Sequence, residues 1–137
     1  MINIETFIDT RFINTHEGDG FIISTPTGST AYSLSCGGPI LKPDVEAFVL
    51  VPICPHTLND RPMVVPSSSE IMLRLNEHQN DTASIVLDGD TILELKPGHE
   101  LLVKKAKKAV SLLHPENYDY FDTLKSKLFW GKDRRND

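Results

Sequence analysis

The 137-residue sequence predicts a mainly β fold, an antiparallel β-sandwich-like domain with two short helical segments. Three observations support this prediction. Short apolar runs recur at the spacing of roughly 8–12 residues that is typical of sandwiches and barrels. Turn signals separate these runs. Apolar residues fall at helical spacing in only two places.

Eight apolar runs are predicted as strands. In the run Met1 to Ile8, Ile2 and Ile4 lie on one face and Phe7 on the other, and the run Glu70 to Leu75 alternates in the same way. The other predicted strands are Phe21 to Thr25, Val45 to Val51, Ala83 to Leu87, Thr91 to Leu95, Glu100 to Lys104 and Ala109 to Leu113.

Two segments between these runs have the composition of tight turns. Lys96-Pro97-Gly98-His99 places Pro and Gly at the central positions of a type II turn. Asp88-Gly89-Asp90 is typical of a hairpin turn between two adjacent strands. Both turns favour antiparallel pairing.

The helical segments lie after the Thr27-Gly28-Ser29-Thr30 loop and in the C-terminal tail, from Asp119 to Phe129. We expect a β-rich domain at residues 1–114 and a tail at residues 115–137. A small β domain has little room for the aromatic side chains of this tail, so we expect the tail to pack on something else. These aromatic residues are Tyr118, Tyr120, Phe121, Phe129 and Trp130.

Charge and composition exclude several classes of partner. The formal net charge is -5, which argues against binding to a nucleic-acid backbone. No apolar stretch approaches the ~20 residues that span a bilayer, and the first residues lack the features of a leader peptide. We therefore expect a cytoplasmic protein without a membrane partner. Cys36 and Cys54 lack paired metal-ligand spacing and are predicted to be reduced thiols.

The stretch from Gly18 to Ser35 is the most informative for function. A predicted strand runs into a Ser/Thr/Gly loop and a short helix, an arrangement that presents backbone N–H groups and hydroxyls to polar or anionic ligands. Simple helix capping is the alternative, and composition alone favours it. The loop lacks the lysine of a Walker A motif and the spacing of a nucleophile elbow.

This stretch resembles the signature of the NAD kinases. The resemblance begins with Gly18-Asp19-Gly20 and the run from Ser24 to Ser35. It continues in register through Gly37-Gly38-Pro39-Ile40-Leu41, the run from Pro52 to Leu58, Arg61-Pro62 and His114-Pro115. It covers essentially the whole chain.

The resemblance implies transfer of the terminal phosphoryl group of ATP, or of polyphosphate in some members, to the 2′-hydroxyl of the NAD adenosine ribose, giving NADP. It implies Mg²⁺ or another divalent cation with ATP, and assembly into homo-oligomers, either dimers or tetramers. NAD, NADP and ATP are the implied small-molecule partners.

The resemblance also implies a set of NAD-binding residues. Asp19 is expected to bind a base or amide group of the dinucleotide, and the Tyr32 ring offers a flat face to a heteroaromatic ring. The full set is Asp19, Thr27, Thr30, Ala31, Tyr32, Ser35, Cys54 and Asp90. Asp90 stands where the family usually has Gln. From the residues alone, turn capping by Asp19 and a core position for Tyr32 remain open.

Two family motifs do not occur in this chain: the Gly-Gly-Asp-Gly motif and an Asn-Glu pair that binds the ribose. We therefore assign no catalytic or metal-binding residue and expect the chain alone to be inactive. It is interpreted as the C-terminal NAD-binding domain, whose tail packs toward an N-terminal α/β domain. The alternatives are a non-catalytic dinucleotide-binding module and a structural β-sandwich with an inert loop.

Overall fold

The computed structural model describes residues 1–130 and contains two compact units, residues 1–106 and the residues from Lys107 onward. The described part of the first unit forms three antiparallel sheets, which confirms the mainly β prediction. Its strands are β1 (Ile2–Ile8), β2 (Arg11–Gly18), β3 (Gly20–Ser24), β4 (Ala47–Ile53), β5 (Met63–Pro66), β6 (Ile71–Leu75), β7 (Ala83–Leu87), β8 (Asp90–Leu95) and β9 (Glu100–Val103).

The largest sheet has the strand order β2-β1-β6-β9. Alternation along β6 buries every second residue, because successive side chains of a strand point to opposite faces. Across the β1–β6 pair, Ile4 lies opposite Leu75 and Thr6 lies opposite Leu73. One face of this sheet is therefore mostly apolar and closed to solvent.

The second sheet has the order β3-β4-β5, with β4 in the centre. Six consecutive residues of β4 are buried, as expected for a strand covered on both faces. Pro52 belongs to this strand but lies beyond the segment Ala47–Leu50 that pairs with β5. Its missing N–H therefore leaves no gap in that ladder.

The two sheets share one core, which gives the sandwich-like arrangement. Phe48 and Leu50 of β4 pack with the apolar face of the larger sheet. Burying a side chain such as Leu50 or Ile71 contributes about 1.5–3 kcal/mol. The remaining buried members of the core are Ile4, Val65, Leu73, Leu75 and Leu95.

Both predicted turns are present. Gly98 has a φ of 76°, and the His99 amide donates to the Lys96 carbonyl at 3.0 Å, which is the geometry of a type II turn. Asp88 and Gly89 have φ values of 49° and 98° and connect β7 to β8 as a tight hairpin.

The observed strands differ from the predicted ones in three places. β2 was not predicted, because the Asp9-Thr10 turn that leads into it lacks glycine, although both residues have positive φ. β5 was not predicted either, since it has only four residues and ends at Pro66. The predicted strand from Ala109 to Leu113 is wrong: these residues are irregular, and Leu113 is 97% exposed.

The first unit contains a short helix, α1 (Tyr32–Ser35), and the second unit contains the predicted C-terminal helix, α2 (Tyr120–Leu128). Asp119 is its N-cap and accepts a hydrogen bond from the Asp122 amide at 2.9 Å. The helix ends at Phe129, which has a φ of 55°. The part of the predicted tail at residues 131–137 lies outside the described residues. No helix in residues 1–130 has the length and apolar character to cross a membrane.

Candidate functional site

The Gly18-Asp19-Gly20 turn connects β2 to β3 at one end of the β3–β4 pair. The Asp19 amide donates to the Ile53 carbonyl at 3.0 Å, which places Asp19 beside the end of β4. A Cβ atom at Gly18 would lie 2.6 Å from the same carbonyl oxygen, closer than a real Cβ comes to such an atom. The close approach of the two chains therefore requires glycine at position 18.

The Asp19 side chain is exposed on this turn. Within residues 1–130 its carboxylate accepts no hydrogen bond, so it does not cap the turn. Both oxygens are available to N–H groups of a ligand.

The Ser/Thr/Gly loop folds into two short helical segments, a 3₁₀ turn (Thr27–Thr30) and α1 (Tyr32–Ser35), separated at Ala31. Thr25 provides local capping, because its Oγ1 accepts from the Gly28 amide at 3.2 Å. The short helix was predicted correctly. Each segment is a single turn, too short to build the helix N-terminal anion site that the sequence suggested.

Two buried serines fix this loop against the sheet. Ser29 donates from Oγ to the Pro26 carbonyl at 2.6 Å and accepts from the Leu41 amide at 2.9 Å. The Ser33 carbonyl accepts from the Gly38 amide at 2.9 Å. A Cβ atom at Gly38 would meet both Ser33 and Val51 closer than 3.0 Å, so this segment lies directly on the middle of β4.

The residues predicted to bind the dinucleotide lie on the outer side of the loop. Tyr32 is 65% exposed, which excludes a core position for its ring. Thr30 donates from its hydroxyl to the Thr27 carbonyl at 3.3 Å. We call the exposed residues of this segment the loop surface: Thr27, Thr30, Ala31, Tyr32 and Ser35.

Of the other predicted residues, Cys54 lies next to the Asp19 turn, whereas Asp90 belongs to a different sheet. Cys54 directly follows the carbonyl that binds Asp19; it is exposed and has a φ of 46°. Asp90 begins β8 in the separate two-stranded sheet. A cleft of about 280 Å³ contains none of the predicted residues and is lined by Glu5, Arg74, Asn76, Glu77, His78, Gly98 and Glu100.

A buried pair beneath the turn was not found from the sequence. His16 Nδ1 lies 2.5 Å from Asp60 Oδ2, and His16 Nε2 lies 3.0 Å from the Gly20 carbonyl oxygen. The His16 side chain is fully buried and that of Asp60 is 8% exposed. The two residues are 44 positions apart, and no spacing rule connects them. The alternation along β2 was the only available signal, and β2 itself was not predicted.

The sequence of the chain is similar to one protein family and to full-length members of it. The family model of the ATP-NAD kinase C-terminal domain matches residues 1–114. Over 131 residues the chain is 48% identical to an NAD kinase from Pseudoalteromonas translucida, and over 132 residues it is 51% identical to one from Pectobacterium atrosepticum. Both matches cover 96% of this chain, which spans 45% of each relative.

Two solved structures are also similar. Yeast NADH kinase complexed with NADH has a TM-score of 0.84 and 31% identity, with 99% of this chain and 42% of that chain covered. An NAD kinase from Archaeoglobus fulgidus in complex with ATP has a TM-score of 0.68 and 31% identity, with 78% of this chain and 40% of that chain covered.

Proposed function

The chain belongs to the family of ATP-NAD kinase C-terminal domains, and on that premise we propose that it is the NAD-binding part of an NAD kinase. The whole enzyme would phosphorylate the 2′-hydroxyl of the NAD adenosine ribose with ATP to make NADP. The chain spans less than half the length of its relatives, so it supplies part of the substrate site.

The observation that carries this proposal is the exposed Asp19 carboxylate, which accepts no hydrogen bond within residues 1–130 and lies on a turn whose backbone is hydrogen-bonded to β4. A carboxylate accepts hydrogen bonds from amide or amino N–H groups, such as those of a dinucleotide. The loop surface adds hydroxyls and the exposed ring of Tyr32, which can stack on a heteroaromatic ring. The yeast relative with NADH bound supports a dinucleotide as the ligand class.

The remaining predicted contacts are proposed from their positions. Cys54 neighbours the Asp19 turn and is placed to contact the same ligand. Asp90 is proposed as a further contact from the β7–β8 hairpin, where a carboxylate offers acceptors only.

The chemistry of phosphoryl transfer is not assigned to this chain. Within residues 1–130, no three His, Cys, Asp or Glu side chains are grouped to hold a metal ion. No residues are therefore proposed to hold the Mg²⁺ that accompanies ATP, and we derive no step through it. Because the Gly-Gly-Asp-Gly motif does not occur in the sequence, we expect the pure 137-residue protein to form no NADP from ATP, NAD and Mg²⁺, and steady NADP formation would contradict this assignment.

Calorimetric titration with NAD tests the binding role. We expect a dissociation constant near or below ~1 mM. Tyr32→Ala should weaken binding about 5- to 10-fold through loss of the stacking face, whereas Tyr32→Phe should bind as the wild type does. Because Tyr32 is 65% exposed, the free energy of unfolding should change by less than about 0.5 kcal/mol. Equal affinity of all three proteins would exclude the stacking role.

Exposed apolar side chains support self-association as part of the proposal. On the β7–β8 hairpin, the exposed fractions of Val86, Leu87, Ile92 and Leu93 lie between 55% and 61%. Large apolar side chains that remain exposed often mark an interface. We expect dimers or larger oligomers in sedimentation velocity, and a monomer at all concentrations would count against this.

The second unit carries exposed aromatic side chains as well. Tyr118, Phe121, Phe129 and Trp130 are each at least 41% exposed. We propose that the additional N-terminal region of the full-length relatives covers them. Fluorescence of Trp130, which is the only tryptophan in the sequence, would then shift to shorter wavelength in a complex with that region.

A further inference from the structure

We propose that His16 and Asp60 are positioning residues that hold the Asp19 turn in the shape that binds the dinucleotide. The proposal rests on the NAD-binding role given above. Neither residue belongs to the predicted binding set, and neither side chain reaches the surface where the ligand would lie.

Both nitrogens of the His16 ring face an oxygen atom. Nδ1 lies against a carboxyl oxygen of Asp60, and Nε2 lies against the carbonyl oxygen of Gly20. A carbonyl oxygen only accepts, so Nε2 must carry a proton to bind Gly20, whereas one proton shared between Nδ1 and Asp60 makes the other contact. We therefore infer that Nε2–H donates to the Gly20 carbonyl.

Two neighbours hold the pair in place. The Phe21 ring centroid lies 5.5 Å from that of His16, and the two rings are tilted by 56°. The second oxygen of Asp60 accepts from Asn14 Nδ2 at 2.8 Å. Buried polar groups are stable when each of their polar atoms is hydrogen-bonded, as is the case for this pair.

The pair connects the turn to the segment that follows β4. His16 precedes the turn on β2, whereas Asp60 lies in the segment between β4 and β5. The two chain segments also meet at the Asp19–Ile53 hydrogen bond and where the His56 amide donates to the Glu17 carbonyl at 2.9 Å. The ring lies close beneath the turn, because a Cβ at Gly18 would be 2.8 Å from Nε2.

The contact to Gly20 is the part that positions Asp19. It fixes the carbonyl of the residue after Asp19, while Ile53 fixes the amide of Asp19 itself. The peptide unit before Asp19 and the one after Gly20 are then held, so the turn that carries the Asp19 carboxylate meets the ligand with little loss of conformational freedom.

Two charge-matched double variants separate positioning from general stability. His16→Gln can place an amide nitrogen near Nε2, so it keeps donation to Gly20. His16→Asn places its amide near Nδ1, so it keeps only the contact at position 60. Each is combined with Asp60→Asn, which prevents a buried unpaired carboxylate in both proteins.

NAD affinity of the two double variants, measured by calorimetry, is the first readout. We expect H16Q/D60N to bind NAD within about threefold of the wild type and H16N/D60N to bind about 5- to 10-fold more weakly, as expected for loss of one hydrogen bond. Equal affinities of the two variants would overturn the proposal.

Amide hydrogen exchange without ligand is the second readout and does not depend on NAD binding. The Asp19 amide should exchange at least about fivefold faster in H16N/D60N than in H16Q/D60N. In the wild type, ¹⁵N chemical shifts of the His16 ring should show a proton on Nε2. Failure of the wild type to bind NAD would refute the proposed function, whereas equal exchange rates or an Nε2 without a proton would refute the positioning role.

Discussion

Replacing Gly18 with alanine tests the close contact on which the candidate site depends. The new Cβ would lie 2.6 Å from the Ile53 carbonyl oxygen, whereas ordinary contacts begin at 3.4 Å, so the turn must move by about 0.8 Å. The same Cβ would lie 2.8 Å from Nε2 of the buried His16 ring. Neither group can easily move away, because one is backbone and the other is enclosed.

We expect the Gly18→Ala protein to lose about 1–3 kcal/mol of folding free energy, the usual cost of overpacking. This corresponds to a fall in Tm of about 4–12 °C for a domain of this size. NAD affinity should fall as well, since the shift displaces the Asp19 amide from its 3.0 Å hydrogen bond. Thermal unfolding followed by circular dichroism and calorimetry with NAD measure the two effects.

Gly20→Ala is the matched control, two residues away on the same turn. A Cβ there would come closer than 3.4 Å only to the end of the Ile53 side chain, at 3.0 Å, and that atom can rotate aside. We expect a loss below about 1 kcal/mol for this variant. If Gly18→Ala were as stable as Gly20→Ala, the inferred close approach of the turn to β4 would be incorrect.

Three further substitutions test other parts of the structure. Ser29→Ala removes the hydrogen bonds that the buried Ser29 hydroxyl makes to Pro26 and Leu41 and should cost about 1–3 kcal/mol in denaturant unfolding; an unchanged midpoint would show that these bonds do not fix the loop. Leu50→Ala should cost about 2–5 kcal/mol because it opens a cavity in the core, while Leu58→Ala, at a side chain that is 86% exposed, should be nearly neutral. Hydrogen bonds from Lys105 and Ser67 lower the pKa of Glu46. The stabilisation by ionised Glu46 is present above its ordinary pKa and is lost as the pH falls through the lowered value. The stability difference between wild type and Glu46→Gln should therefore shrink on acidification, and a constant difference from pH 7 to pH 3 would contradict this.

Much of the fold could be predicted because local sequence determined it. The alternation of Ile71, Leu73 and Leu75 identified β6, and Pro97-Gly98 identified a type II turn, since each signal lies within a few residues. β2 was missed because its partner strand and the Asp9 carboxylate stabilise it. That carboxylate accepts from the Glu70 amide at 2.9 Å, 61 residues away. Hydrogen bonds between residues so far apart in the chain do not change the local pattern of apolar residues.

Part of the candidate site could likewise be predicted from the sequence, and part required the structure. The sequence identified Asp19 and the loop surface from an ordered motif, and the structure places them on exposed turns beside β3 and β4. The distinction between buried Ser29 and exposed Thr30 required the structure, because both are small hydroxyl residues in one loop. The His16–Asp60 pair required it as well, since it depends on a contact between segments far apart in the chain.

Titration of the ¹⁵N-labelled 137-residue protein with NAD, followed by two-dimensional NMR, tests the central claim most directly. The claim is that Asp19 and the loop surface bind the dinucleotide. We predict that chemical-shift changes concentrate at the amides of residues 18–20, 27–35 and 54. The absence of shifts at millimolar NAD, or shifts confined to the cleft around Arg74, would contradict it.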